Sequence, residues 1–304
     1  ANLESYLRSH YGDIQKWLPE DKRLNHAPEE LHFGRCVRSE ESNSISVVIP
    51  LYNKELEVER AVRSVLMQSL APCEIIVVDD GSTDGSRAVV ERIIAESHDI
   101  EIRLITQENS GVSVARNRGI EAARGEYVAL LDADDCWLSG YLAEVCRLMG
   151  RYPDAGAYST AFDIVSGRSR VRASTPMVEG YINPAEEALQ SRYPIIPSTA
   201  TLRRDTLLRL GGFPEGMSLG EDQWLWVRMM QLGAQFVFSP MSLVRYSRTA
   251  SNRSASIYRS ERSEHSVAEL YSVDNESVIN EYIARIGIGK AITQSAASLS
   301  LFLT

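Results

Sequence analysis

Nowhere does the 304-residue sequence approach the roughly 20 continuous apolar residues that a membrane helix needs, so no integral membrane segment is expected. The N-terminus also lacks the basic-then-apolar plan of a secretory leader, and the expected location is cytoplasmic, with peripheral contact at the inner membrane face as the membrane-associated variant. Cysteine is scarce. Cys36, Cys73, Cys136 and Cys146 form no CxxC pair and stand near no histidine cluster, which argues against structural zinc and leaves reduced thiols as the reading. The 19 glycines and 11 prolines follow no period, so a collagen-like repeat or a solenoid does not fit. Positive charge is in deficit: 32 Lys and Arg against 41 Asp and Glu give a net charge of -9, and a nucleic acid is not an expected partner. What is present is a 44% hydrophobic, 24% charged composition, enough for one large globular domain with appendages.

Residues 1–43 scatter Leu3, Tyr6, Leu7, Trp17 and Leu18 among polar residues and read as a short helix with an irregular arm. At Ile45 the character changes. Ile45-Ser46-Val47-Val48-Ile49-Pro50 has the β-branched run of a buried parallel strand. Helical spacing over 56–70 follows, then the strand 74–78, a helix 86–97, a strand 103–105, a helix 112–123 and a strand 127–131. Repeated βαβ units mean a mostly parallel, Rossmann-like sheet flanked by helices, with ligands beyond the carboxyl ends of its strands. Further on, the pattern predicts a helix over 139–151, strands near 155–164 and 169–173, helices over 202–210 and 221–232, and two strands at 235–238 and 243–246. Beyond Ser256 the pattern is that of a helical appendage, approached through Arg245, Arg248, Arg253, Arg259 and Arg262.

Three acidic clusters carry the chemistry. Asp132, Asp134 and Asp135 end a hydrophobic strand, and two such charges about 4 Å apart repel by roughly 4 kcal/mol at an effective dielectric near 20. An acidic surface turn and a site for a divalent cation are the two readings; magnesium or manganese would be held by oxygens while keeping positions for substrate phosphates. Asp79 and Asp80 close another strand before Gly81-Ser82-Thr83-Asp84-Gly85, where helix capping and acceptance of hydrogen bonds from a base or ribose are compatible. Glu221 and Asp222 open a helix, as plain N-terminal acids or as reactive ones.

The order of these motifs resembles the family 2 glycosyltransferases. Val47 to Lys54, Val78 to Ser86, Asn109-Ser110-Gly111 with Ala115-Arg116-Asn117, Leu131 to Asp135, and Gly211-Gly212-Phe213 ahead of Glu221-Asp222 carry the likeness over about residues 45–250. The resemblance implies an α/β chain of GT-A fold: a domain over 44–250 with a nucleotide-binding half (44–135) and an acceptor-binding half (136–250), between the N-terminal arm and a C-terminal helical extension (251–304). It implies an inverting transferase that moves a single sugar from a nucleotide-sugar donor, UDP foremost, to an acceptor hydroxyl by metal-assisted direct displacement, in cell-surface polysaccharide or glycoconjugate synthesis. Carried over by position, Pro50, Tyr52, Asn53, Asp79 and Asp80 hold the nucleotide base. Gly111, Arg116 and Asn117 face its diphosphate or ribose. Asp132, Ala133 and Asp134 form the DxD motif, with Asp132, Asp134 and Asp135 as ligands for Mn2+ or Mg2+. Asp222 is the base and Glu221 its neighbour, orienting it or binding acceptor. The acceptor would be a carbohydrate, a lipid-linked sugar or a protein, and the terminal helices are candidate interfaces for a homo-oligomer.

Two departures stand out. Tyr246-Ser247-Arg248-Thr249 has no histidine where many relatives have one for metal or diphosphate, and Arg248 or Arg253 is a replacement for its charge. The Gln-x-x-Arg-Trp signature of processive members is absent after Asp222. Of the tryptophans, Trp137 is the expected acceptor contact and one of Trp224 and Trp226 the expected core residue; Cys136, with no histidine to activate it, reads as packing. The rival readings are a catalytically silent nucleotide-sugar-binding module and a nucleotidyltransferase, although 50–55 has no glycine- and arginine-rich phosphate loop.

Overall fold

A computed structural model describes residues 45–248 apart from 185–186, 188–191, 193 and 218–219. The expected N-terminal arm and C-terminal helical extension, with Arg253, lie outside the described residues.

The first half alternates strands and helices as its periodicity predicts: β1 (Ile45–Leu51), α1 (Val58–Leu66), β2 (Glu74–Asp79), α2 (Ser86–Glu96), β3 (Ile102–Thr106), α3 (Val112–Ala122) and β4 (Tyr127–Leu130). The second half runs β5 (Cys136–Trp137), α4 (Tyr141–Arg151), β6 (Ala157–Ser166), β7 (Ser169–Arg172), β8 (Gly180–Ile182), a 3-10 turn (Pro197–Thr199), β9 (Thr201–Arg203), α5 (Arg204–Leu210), α6 (Glu221–Gln231) and β10 (Phe236–Ser247). One sheet joins them in the order β3-β2-β1-β4-β9-β6-β10-β5, with β7 on β6 and β8 on β10.

Every residue of β1 is buried, because helices cover both faces of the sheet. Alternation then sorts the core. Val47, Ile49 and Leu51 pack with Val62 of α1, Ile93 of α2 and Leu148 of α4, whereas Val48 turns to the opposite layer with Ala115 of α3, Leu207 of α5 and Trp226 of α6. At Gly119 of α3, an added Cβ would lie 2.3 Å from Val48, so the absence of a side chain is what seats α3 this close to β1.

β1, β2, β3 and β4 are mutually parallel. β9 is antiparallel to both β4 and β6, and β10 is parallel to β6, so β4, β6 and β10 share one direction. Their carboxyl ends therefore lie along one edge of the sheet, where all three acidic clusters emerge.

The later region differs from its sequence pattern in instructive ways. The two strands expected at 235–238 and 243–246 are one, β10, whose register against β6 shifts between Ser239 and Val244. Pro240 has no N–H to give the ladder, and a bulge lets it sit in an interior strand. The helix expected from Leu202 begins at Arg204, because Thr201–Arg203 fills the gap between β4 and β6 as β9. Among the described residues no helix is long and apolar enough to cross a membrane.

Candidate active site

The turn after β4 alternates in exposure residue by residue. Ala133, Asp135 and Trp137 face inward; Asp132 and Asp134 face the crevice. Asp135 is fully buried, accepting a hydrogen bond from the Ser198 hydroxyl at 2.5 Å and one from the Ser247 N–H at 2.8 Å. Burial, reinforced by the charges of Asp134 and Asp132, pushes its pKa well above the usual carboxylate range. Asp135 thus ties β4 to β10 from inside rather than standing on the rim with Asp132 and Asp134, a departure from its expected place as a metal ligand.

Each rim carboxylate already has a cation. Lys54 Nζ lies 3.2 Å from Asp134, and Arg116 donates to Asp132 at 2.7 Å. The repulsion inferred from the sequence is thus offset within the chain. Asp134 nevertheless titrates above its ordinary value, through burial and the charge of Asp132.

Arg116 is the hub. Its guanidinium, 4% exposed, also donates to Glu221 at 2.9 Å and lies 5.1 Å from the centre of the Phe213 ring. Burial opposes its charge, but Asp132 and Glu221 outweigh burial and hold its pKa above the usual arginine range. Two motifs 105 residues apart, on α3 and at the start of α6, are thereby clamped to the acidic turn. Beside Glu221, Asp222 is half-buried, and its only partner among the described residues is the N–H of Gln223 at 2.8 Å. Burial, then the charge of Glu221, raise its pKa to about 6. A carboxylate poised there can remove a proton near neutral pH.

The other loops build the floor and wall. Pro50 is buried within β1, and Tyr52 is exposed. Asn53, in the left-handed region at φ 50°, accepts the Thr83 N–H at 2.7 Å and donates its own N–H to Ser82, so the loops after β1 and β2 are laced together. Asp79 accepts the Ser82 N–H at 3.0 Å. Asp80 spends both oxygens on the segment after β3: Oδ1 takes Gln107 Nε2 at 2.7 Å and the Ser110 N–H at 2.8 Å, and Oδ2 takes the Gly111 N–H at 2.9 Å. Asp80 therefore sets the entry of α3, and with it the position of Arg116.

Other expected residues are placed differently. Asn117 points away from the crevice, its Oδ1 accepting the Phe213 N–H at 2.7 Å and its Nδ2 donating to the Phe213 carbonyl at 2.9 Å; it pegs the Gly211-Gly212-Phe213 turn. Trp137, the expected acceptor contact, is 4% exposed, stacks on Tyr141 and donates to the Ser198 carbonyl. Trp226 is core and Trp224 half-exposed, as the helical spacing implied. Lys54 and Ser198 also belong to the site, through Asp134 and Asp135, although neither is part of an acidic cluster. Lys54 stands within the quoted Val47 to Lys54 run, but nothing local to Ser198 marks a residue whose partners lie more than 60 positions away.

A divalent cation fits what is on the rim. Asp132 and Asp134 each meet their cation through one oxygen, Oδ1 and Oδ2 respectively, and as partly exposed carboxylates they present hard oxygen donors to the crevice. Among the described residues no group of three or more His, Cys, Asp and Glu side chains is gathered as a metal site.

The mostly parallel α/β sheet, with acidic groups along its carboxyl edge, has the GT-A fold of glycosyltransferases, as its structural neighbours show. The profile described as "Glycosyl transferase family 2" matches residues 46–211, more than half of the sequence, and the chain belongs to that family. Among curated relatives, the uncharacterized glycosyltransferase YibD of Escherichia coli is 47% identical over 94 residues, 31% of this chain and 27% of that protein. The putative teichuronic acid biosynthesis glycosyltransferase TuaG of Bacillus subtilis is 43% identical over 106 residues, 34% of this chain and 41% of that protein. The matched segments thus span between about a quarter and two fifths of those relatives. Two solved structures share the fold: S. aureus TarS 1-349 in complex with UDP-GlcNAc, with a TM-score of 0.61 at 22% identity over 70% of this chain and 61% of that one, and the mannosyltransferase PcManGT from Pyrobaculum calidifontis in complex with GDP-Man and Mn2+, with 0.57 at 23% over 85% and 74%.

Proposed function

We propose that this chain transfers a single sugar from a nucleotide-sugar donor, UDP-linked in the first instance, to an acceptor hydroxyl with inversion, in the synthesis of a surface polysaccharide or glycoconjugate. The observation that carries this reading is the Asp222 carboxyl, held near pKa 6 beside a Glu221–Arg116–Asp132 bridge that fixes it relative to the acidic turn. Supporting it are the donors bound by the two structural neighbours, UDP-GlcNAc and GDP-Man, and the biosynthetic role in the name of TuaG.

In this reading the acceptor hydroxyl gives its proton to Asp222 as its oxygen bonds to the anomeric carbon from one face. The anomeric carbon–oxygen bond breaks on the other face, and the nucleoside diphosphate leaves with the electron pair. Asp132 and Asp134 would hold Mn2+ or Mg2+, which supplies compensation for charge on the departing diphosphate. Pro50, Tyr52, Asn53 and Asp79 line the place of the nucleoside, with Asp80 and Gly111 shaping the wall that carries Arg116. Glu221 orients Asp222 through its hold on Arg116. The Lys54 ammonium and the Arg116 guanidinium add fixed positive charge close to the diphosphate.

The test is a thermal-shift series with UDP, GDP and their sugars in manganese, magnesium or chelator, joined to an assay of nucleotide release. A diphosphate that raises the midpoint with metal, together with release that falls by roughly 10²- to 10⁴-fold in Asp222→Asn while nucleotide affinity holds, supports the reading. Binding without release under any condition points instead to a silent module, and release of pyrophosphate from a nucleoside triphosphate to a nucleotidyltransferase.

A further inference from the structure

Basic charge is concentrated in one part of this acidic chain. Within 157–175 and 236–248 there are five arginines, Arg168, Arg170, Arg172, Arg245 and Arg248, and one acid, Asp163. The sheet brings them together. Arg172 and Arg245 flank Asp163 across β7, β6 and β10, and Arg170 stands beside Val165 one step further along. Arg245 pairs with Asp163, Arg170 Nε lies 3.5 Å from the same carboxylate, and Arg172 donates to the Pro240 carbonyl. Asp163 also accepts from Ser242 Oγ. One carboxylate, with one oxygen already given to a hydroxyl, thus serves two guanidinium groups, and Arg168, Arg170, Arg172 and Arg248 are exposed.

Alternation fixes which way this row faces. Ala157 of β6 packs in the layer that contains α6, whereas Tyr158, Phe162 and Ile164 pack in the layer that contains α4. Asp163 and Val165 share the parity of Ala157, so Arg170, Arg172 and Arg245 lie on the α6 side of the sheet. They also lie toward the carboxyl ends of β6 and β10, where the N–H of Ser247, the last residue of β10, binds Asp135 of the acidic turn.

We propose that this arginine face is the acceptor subsite and that the acceptor is anionic, carrying phosphate or uronate groups near the hydroxyl that is glycosylated. The inference rests on the reading of Asp222 as the base. A guanidinium fork matches carboxylate and phosphate oxygens in pairs, a geometry that an ordinary sugar hydroxyl does not supply. Such recognition is short-ranged, because fields are screened beyond about 8 Å at physiological salt and the chain as a whole is negative. Only a local cluster can attract an anion to this protein.

The test uses the full chain saturated with donor nucleotide and three probes: a trigalacturonate, N-acetylglucosamine 1-phosphate and neutral chitotriose. The two anionic probes separate carboxylate-bearing from phosphate-bearing acceptors. Support is binding of at least one of them that exceeds the neutral probe, weakens as salt rises, and drops roughly tenfold or more in the Arg170→Gln/Arg172→Gln variant. Nucleotide affinity of the variant, read by thermal shift, reports that its fold is intact. With a competent acceptor, the change falls on acceptor KM rather than on kcat. Equal binding of anionic and neutral probes, or an unaltered affinity in the folded double variant, overturns the proposal. So does retention on phosphatidylglycerol vesicles with no affinity for either soluble anion, since that marks a membrane-facing surface. Loss of nucleotide binding itself in the parent chain would count against the transferase reading, a separate failure.

Discussion

Replacing Arg116 by glutamine tests the architecture of the site most directly. The guanidinium is 4% exposed and serves Asp132 at 2.7 Å and Glu221 at 2.9 Å. Removing one partner of a buried ion pair costs about 3–5 kcal/mol, because the other charge stays behind. Here Asp132 is 27% exposed and Glu221 14%, so water recovers part of that cost and a loss of about 2–4 kcal/mol is expected at pH 7.5. Without the cation, Asp222 faces the like charges of Glu221 and Asp132 with nothing to offset them, and its folded-state pKa, already raised, rises further. A carboxylate raised in the folded state destabilises above that pKa and ceases to do so as it protonates, so the deficit must shrink between pH 7.5 and pH 5. Urea unfolding of parent and variant at both values measures it. Arg116→Lys, which restores charge but not the fork, should fall between them. A loss below about 1 kcal/mol, or a deficit that does not narrow as pH falls, would refute the idea that these groups form one electrostatic unit.

Other outcomes follow from the same geometry. Transfer should rise with pH about a midpoint near 6 and level off above it, because Asp222 acts deprotonated; a rate independent of pH between 5 and 7.5 removes it as the base. Asp222 raised to about 6 also lowers stability above that pH, so Asp222→Asn should be more stable by about 1–3 kcal/mol at pH 7.5 and no more stable near pH 4, measured by the same unfolding curves. Asp134→Ala should make nucleotide affinity indifferent to chelator; an undiminished metal effect in titrations would place the cation elsewhere. Gly212→Ala should cost more than Gly211→Ala in thermal unfolding. Both have φ 77°, but only at Gly212 does the new Cβ meet Asn117 Oδ1, at 2.2 Å. Equal losses would mean that the Asn117 peg is not confined by that turn.

What the sequence determined by itself is the alternation of strand and helix through β4 and the placement of acids at strand and helix ends. A continuous β-branched run and 3.6-period burial are local properties, and Val47 to Leu51 and Val58 to Val65 display them respectively without help from distant residues. The order of motifs likewise announced the family. Tertiary structure alone decided what each polar group does. Asp132 and Asp135 are three positions apart, yet one faces the crevice with Arg116 and the other is sealed between Ser198 and Ser247. Asn117 adjoins Arg116 in the chain but points to Phe213, since adjacent residues on a helix project about 100° apart. Trp137 follows the acidic turn yet lies in the core. The joining of two expected strands into β10, and the gap that turned Thr201–Arg203 into β9, depended on neighbours far away in the chain. Hydrogen-bond and ion-pair partners that lie 60 to 112 residues apart leave no periodic trace in a sequence; they exist only once the sheet has brought its carboxyl edges together.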